Sequence, residues 1–342
     1  MLNKNIIVGY GELLLRLTPS NHSQLIEQAT SLNLSFGGSE SNIISNLSNL
    51  GHNTKMITSF PDNSLGKSAN RFLKSFGVNT NDIIFRNGRI GTYFIEHGET
   101  LRGSKIIYDR IDSCFAKQKF DDKVWKNVFN DSSYFILSGI TPSLSKECQD
   151  NVLRSVKIAK SNKVKIVFDL NFRRNLWKEE EAFAFISKII NDVDILIGNI
   201  GSISDIFGYK YKSSNNFSEL EKITQDACEY ISKDFSFDLV GLTIRNQINA
   251  THNQLGGLIK VNGNYFFGKS FEMNIIDRIG GGDAFSSGII HGLIKEYNPQ
   301  KIIDFSNSCF ALTQTIKGDI NYFDQEDIME FGSDNYKGYI KR

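Results

Sequence analysis

The chain has 342 residues and a net charge of +1, from 39 Lys and Arg against 38 Asp and Glu. That balance sets up no field for nucleic acid or an anionic membrane, and no apolar run approaches the length of a membrane span. The length allows a full core. Residues 1–15 lack the basic start, long apolar stretch and small-residue cleavage site of a secretory signal, and read as a first strand. Cys114, Cys148, Cys228 and Cys309 stand far apart with no zinc or redox spacing, and are expected to be buried thiols in a reducing cytoplasm.

Taken in chain order, the apolar run 6–8 reads as a strand leading into Gly9-Tyr10-Gly11-Glu12. Residues 16–36 read as extended, with no helix among them. Gly37-Gly38-Ser39-Glu40-Ser41-Asn42 precedes a helix whose Ile43, Ile44, Leu47 and Leu50 form one stripe of 3.6-residue period. A second extended stretch, 88–111, contains a hairpin with arms 91–96 and 104–109. Beyond it, the run 134–137 leads into 138–142, 164–168 ends at Asp169, 195–197 ends at Asn199, and 239–243 ends at Arg245. Helical patterns such as 153–159 and 182–190 lie between. This alternation argues an α/β fold with a mostly parallel central sheet covered by helices on both faces. Ligands bind such sheets beyond the carboxyl ends of the strands, which marks Asp169, Asn171, Arg173, Asn199 and Arg245. Residues 1–15, 37–87 and 112–342 are expected to form this body, and 16–36 with 88–111 a small β lid.

The stretch Asp277-Arg-Ile-Gly-Gly-Gly-Asp-Ala-Phe285 sets three glycines and an acid where a helix begins. Gly280, Gly281 and Gly282 let the backbone turn sharply and come close to a ligand. Free N–H groups of a first helical turn, at the positive end of the helix dipole, suit an anion such as phosphate. Asp283 in that turn can accept a proton from a nearby hydroxyl. A phosphate cradle beside a base is the minimum equipment for phosphoryl transfer to an alcohol. Two look-alikes fall away. Gly263-Asn-Tyr-Phe-Phe-Gly-Lys-Ser270 matches the P-loop expression, yet reads as a hairpin followed by extended chain, where a working P-loop joins a buried strand to a helix. Gly9-Tyr10-Gly11 lacks the third glycine of a dinucleotide fingerprint.

The segment 277–285 resembles the second signature of the ribokinase-like (PfkB) carbohydrate kinases, with Arg278 in place of a Thr and Gly281 in place of an Ala. Gly37-Gly38 followed by Asn42 resembles the first signature, which implies sugar contacts at Gly38 and Asn42. Gly91-Thr-Tyr93, Tyr108-Asp-Arg110, Asp169-Leu-Asn-Phe-Arg173 with Leu176-Trp177, Gly11-Glu12 and the 138–142 segment are together similar to the 2-keto-3-deoxygluconate kinase branch. Carried over by motif, Tyr93, Tyr108, Arg110, Ile140 and Arg173 would contact a sugar acid, arginine's fork of donors being suited to a carboxylate. Asn199, Thr243 and Arg245 would stand on the nucleotide side, with Gly280, Gly282 and the Asp319 of a closing Gly318-Asp319 element. The resemblance covers residues 5–325. It implies the ribokinase-like fold, ATP and Mg2+ as cofactors with a monovalent cation as a further candidate, and a homo-oligomer formed through the lid.

One departure stands out. The family's Asn-x-x-Glu, whose acid helps organise magnesium, reads Asn199-Ile-Gly-Ser202 here. Either Ser202 orders a metal-bound water, or Asp205 reaches in from one turn later, or catalysis is impaired. The expected reaction is ATP-dependent phosphorylation of 2-keto-3-deoxygluconate at its terminal hydroxyl, with Asp283 as base and Arg110 and Arg173 on the carboxylate. The alternatives are a kinase for fructose or another keto-deoxy acid, and a sugar-acid-binding protein with impaired catalysis.

Overall fold

The computed structural model describes residues 5–334, 336 and 338. It opens with strand β1 (Ile6–Tyr10), then the antiparallel pair β2 (Leu14–Pro19) and β3 (Leu32–Gly37), then helix α1 (Ser39–Asn49). Strands β4 (Thr54–Ile57) and β5 (Ser59–Pro61), helix α2 (Ser64–Ser75) and β6 (Ile84–Arg86) lead to a hairpin of β7 (Thr92–Glu96) and β8 (Lys105–Asp109). After α3 (Asp122–Phe129) come β9 (Ser132–Ser138), α4 (Ile140–Ser143), α5 (Lys146–Ser161), β10 (Lys165–Asp169) and α6 (Glu179–Ile186). The next step is β11 (Ile195–Asn199), α7 (Ile200–Phe207), α8 (Phe217–Asp234) and β12 (Leu239–Gln247). Strands β13 (His252–Val261), β14 (Asn264–Phe267) and β15 (Phe271–Asn274) precede the last helices, α9 (Gly281–Ile294), α10 (Pro299–Thr313) and α11 (Gln325–Gly332).

The large sheet runs β14-β13-β12-β11-β10-β9-β1-β4, with β15 also on β13. It is parallel from β4 to β12 and antiparallel beyond. Successive residues of a strand point to opposite faces, so an unbroken apolar run supplies two cores. Phe135 and Leu137 pack with α3, α5 and α8 on one face, while Ile136 between them packs with α1, α9 and α10 on the other. Ile166, Val167 and Phe168 divide the same way. This is the ribokinase-like α/β architecture that the sequence leads one to expect.

A separate four-stranded sheet, β3-β2-β7-β8, comes from the two stretches that broke the strand–helix rhythm. Its first strand starts at Leu14, which packs with Tyr93 and Ile95 of β7, and a single 3-10 turn (Ile26–Gln28) interrupts the stretch 16–36 that was expected to hold no helix. The 261–264 turn joins β13 to β14 with Asn262 and Gly263 both at positive φ (49° and 78°), the arrangement of a two-residue hairpin turn. Lys269 of the P-loop look-alike donates to the carbonyl oxygens of Gly332 and Ser333 (3.4 and 3.0 Å), so that expression is a hairpin and not a phosphate loop. All four cysteines are buried and unpaired. Among the described residues no helix is long and apolar enough to cross a membrane.

Candidate active site

A cleft of about 590 Å³ is lined by residues at the carboxyl ends of the parallel strands and by the small sheet. At its floor α9 begins. Gly280 caps this helix in the left-handed region (φ 78°), and a Cβ there would lie 1.9 Å from the Asp319 carbonyl oxygen, so glycine is required twice over. Gly282 faces open space, whereas Gly281 packs on Gln314 and Phe310 and does not line the cleft. Asp283, in the first turn, is buried and accepts hydrogen bonds from Ser39 Oγ (2.8 Å) and Asn42 Nδ2 (2.7 Å). Burial raises its pKa to about 8 in spite of those two bonds, and nearby Asp169 adds to the rise.

Ser39 is itself held. Asn171 Nδ2 donates to Ser39 Oγ at 2.8 Å, and the Asn171 backbone N–H donates to Asp169 Oδ1 at 3.1 Å. Asn171 takes a positive φ of 31°, a strained setting for a non-glycine residue at a strand end. Asp169 closes β10 and is buried, which pushes its pKa to about 7 against the pull of Arg173. Gly38 has extended backbone, and a Cβ on it would lie 2.1 Å from the Glu12 carbonyl oxygen. Its N–H donates to Asn42 Oδ1 (3.1 Å), so Asn42 bridges the turn to Asp283.

Glu40 lines the same cleft but belongs to no expected role. It accepts from Ser138 N–H (3.1 Å), Ser138 Oγ (2.8 Å) and Thr141 Oγ1 (2.7 Å), which ties α1 to the end of β9. Its burial raises its pKa. The only sequence sign of it was its place within the Gly-Gly-Ser-Glu-Ser-Asn turn. Ile140, the first residue of α4, sits beside it in the lining.

The small sheet forms the opposite wall. Tyr93 and Tyr108 are cross-strand partners with ring centroids 6.1 Å apart, and Tyr93 OH donates to Asp319 Oδ2 at 2.6 Å. Arg110 lines the cleft, yet its Nε and Nη2 donate to Glu12 Oε2 at 2.8 and 2.5 Å. Arg173 has no ion-pair partner among the described residues, so of the two arginines expected on a carboxylate it is the free one.

At the other end stand Asn199, Thr243 and Arg245. Arg245 donates to Asn253 Oδ1 (3.2 Å) and Gln314 Oε1 (2.9 Å) and lies over the Phe310 ring. Burial, then Arg278, pulls its pKa down, yet far enough above neutrality to leave the guanidinium charged. Arg278 lines the cleft too, and neither arginine has a carboxylate partner among the described residues. This end of the cleft is short of negative charge and suits a polyanion.

The Asn199-Ile-Gly-Ser202 departure has a structural reading. Asn199 caps α7, accepting from the Ser202 N–H (3.0 Å), while Ser202 Oγ accepts from the Asn199 N–H (3.1 Å). Ser202 thus completes a capping box. Asp205 is held by Arg174 through bonds of 3.1 and 2.6 Å and does not line the cleft.

The cleft can be set beside known proteins. A structure of 2-dehydro-3-deoxygluconokinase from Thermotoga maritima superposes with a TM-score of 0.90 at 33% identity, covering 96% of this chain and 99% of that one. The 2-dehydro-3-deoxygalactonokinase of Haloferax volcanii is 27% identical over 314 residues, 92% of either chain. A 5-dehydro-2-deoxygluconokinase of Bacillus licheniformis is 25% identical over 311 residues, 90% of this chain and 89% of its own. The pfkB family of carbohydrate kinases matches residues 4–229, most of the chain. The match, the fold and the glycine loop with its buried acid agree: this chain belongs to the pfkB family of carbohydrate kinases.

Proposed function

We propose that the protein transfers the γ-phosphoryl group of ATP to the terminal hydroxyl of a keto-deoxy sugar acid, with 2-keto-3-deoxygluconate the first candidate. The observation that carries this reading is the division of charge in the cleft. Arg173 is an unpaired cation at one end, Arg245 and Arg278 lie without a carboxylate partner at the other, and Asp283 stands at the glycine loop. A carboxylate-bearing acceptor and a nucleotide triphosphate would supply the missing negative charge at both ends. Three of the similar proteins are named as kinases of such acids.

In this mechanism Asp283 takes the hydroxyl proton as the oxygen attacks in line, and Ser39 and Asn42 hold its two oxygens in place. The Gly280 to Gly282 backbone and the start of α9 offer N–H groups to the charge spreading over the transferred group. Arg173 fixes the acceptor by its carboxylate, which turns binding energy into orientation. Tyr93 and Tyr108 of the small sheet cover the acceptor and limit water as a competing nucleophile. Arg110, spent on Glu12, anchors this lid to the body while it lines the acceptor site.

Mg2+ would neutralise charge on the nucleotide phosphates. The described residues hold no cluster of three or more His, Cys, Asp or Glu able to cage an ion. They fit an ion carried chiefly on the phosphates, as magnesium usually is, with Asp169 and Asn199 as the donors at the strand ends. A monovalent cation does not fit beside the glycine loop: the carboxylates of Asp277 and Asp319 that flank it are both engaged by Arg16.

An ADP-release assay tests the reading, with Mg2+–ATP and 2-keto-3-deoxygluconate, its galacto epimer, fructose and ribose. Turnover confined to the keto acids is expected. Turnover on the neutral sugars alone would overturn the assignment of Arg173. Binding of the acid without turnover would favour the second reading, a sugar-acid-binding protein, which the engagement of Ser202 and Asp205 motivates.

The lid also carries an assembly proposal. Leu34, Leu17, Phe94 and Ile107 are successive cross-strand neighbours, an apolar row across all four strands, and Leu34 and Ile107 are 53% and 41% exposed. Two copies joined through this face would bury it. Light scattering should give a dimer or larger that Leu34→Lys dissociates; a monomeric wild type would sink this idea.

A further inference from the structure

Arg16 belongs to neither glycine signature, yet it joins the small sheet to both chain segments that frame the glycine loop. It projects from β2 and is buried, with Nη1 on Asp319 Oδ1 and Nη2 on Asp277 Oδ2. Asp277 in turn accepts from the N–H of Ile279 through Oδ1 (3.2 Å) and from the N–H of Gly318 through Oδ2 (3.1 Å). It therefore sews the start of the loop to the 318–319 turn. Asp319 meets the loop from the other side, its carbonyl oxygen occupying the space beside Gly280 that no Cβ could share. Tyr93, the register partner of Arg16 on β7, donates to the second oxygen of Asp319.

Two buried carboxylates thus share one guanidinium. His97 comes within 3.9 Å of Asp277, but burial, then His22, draws its pKa down to about 4, so it is neutral there. Without Arg16 two like charges would face each other in a poorly solvated space and push their segments apart. Gly280, wedged against Asp319, would move with them, and the amides of the loop would lose their aim.

We propose that Arg16 is a positioning residue for the glycine loop. It makes the loop's geometry depend on the seating of the small sheet, and its guanidinium serves from within the chain as the cation beside Asp277 and Asp319. The inference rests on the kinase reading above. It requires that the wild type need no added monovalent cation, and that loss of Arg16 fall more heavily on nucleotide use than on the acceptor site around Arg173, where Tyr93 shares Asp319 with it.

The test compares wild type, Arg16→Lys, Arg16→Met and Arg16→Ala in choline chloride, NaCl and KCl. Turnover, ATP affinity, acid affinity by calorimetry and thermal melting are read for each. The wild-type rate should be the same in all three salts. Arg16→Met should lose turnover by about 100-fold, the scale of a misplaced transition-state donor, with acid binding weakened by less than about tenfold. Arg16→Lys should keep part of the rate, and guanidinium ion at low millimolar concentration should restore part of it to Arg16→Ala but not raise the wild type. Potassium stimulation of the wild type would overturn the internal-cation role. Parallel loss of acid binding, ATP binding and melting temperature in both Arg16→Met and Arg16→Lys would make Arg16 a fold staple and overturn the positioning role. If the wild type phosphorylates no sugar acid, the kinase reading fails, and the ATP affinity of Arg16→Met against wild type still decides whether Arg16 holds the loop.

Discussion

The two walls of the cleft are built on different principles. On the body wall, Asp169, Asn199 and Asp283 stand where a strand ends or a helix begins; Asn171 and Ser202, close in sequence, bond the first two, and the neutral side chains of Ser39 and Asn42 hold Asp283. On the small-sheet wall, Arg16, Tyr93 and Arg110 are oriented by acids 98 to 303 residues away. The first wall presents chemistry; the second is fastened by charge. The body wall should therefore tolerate damage to its chemistry without unfolding, and the small-sheet wall should not tolerate unpaired charge.

The sharpest break of this contrast is Asp283→Asn. Turnover should fall by about 10²- to 10⁴-fold, the range for losing a general base, while calorimetry finds the sugar acid still bound. Equal loss of both would mean that Asp283 supports the site instead of acting in it. Next in size is Arg110→Ala, which strands Glu12 in a buried setting where its Oε1 already has no partner. Breaking a buried pair costs about 3–5 kcal/mol, visible as a lower urea midpoint. Adding Glu12→Gln should recover much of that, whereas a double variant no more stable than the single would show that the pair contributes little.

A smaller shift is expected on the body side. With the Asp283 pKa near 8, kcat/KM should rise with pH through that region, because only the deprotonated carboxylate accepts a proton. Ser39 donates a hydrogen bond that favours the charged form, so Ser39→Ala should move this limb to higher pH. A limb that stays in place, measured with both substrates saturating and then limiting, would remove Ser39 from the base's environment.

Much of the body wall was legible because its cues are local. Three glycines before an acid announced the start of α9, and the runs ending at Asp169 and Asn199 announced the strand ends. The hairpin of β7 and β8 was readable from alternation and turn residues. Glu40 was harder, since a single acid in a glycine-rich turn has no partner in view until Ser138 and Thr141 arrive from β9 and α4. Arg110 reads in the sequence as a fork of donors suited to a carboxylate, and only the fold brings Glu12 against it.

The order of strands and helices, the place of the glycine loop at the start of α9 and the row of polar groups at the strand ends are legible along the chain. Those follow from periodicity and backbone preference within a few residues. Which charges neutralise one another emerges only in the folded chain: Arg16 with Asp277 and Asp319, Arg110 with Glu12, Arg174 with Asp205. Coulomb energy in a buried space depends on distance and burial, and neither is written in the spacing of residues along a chain.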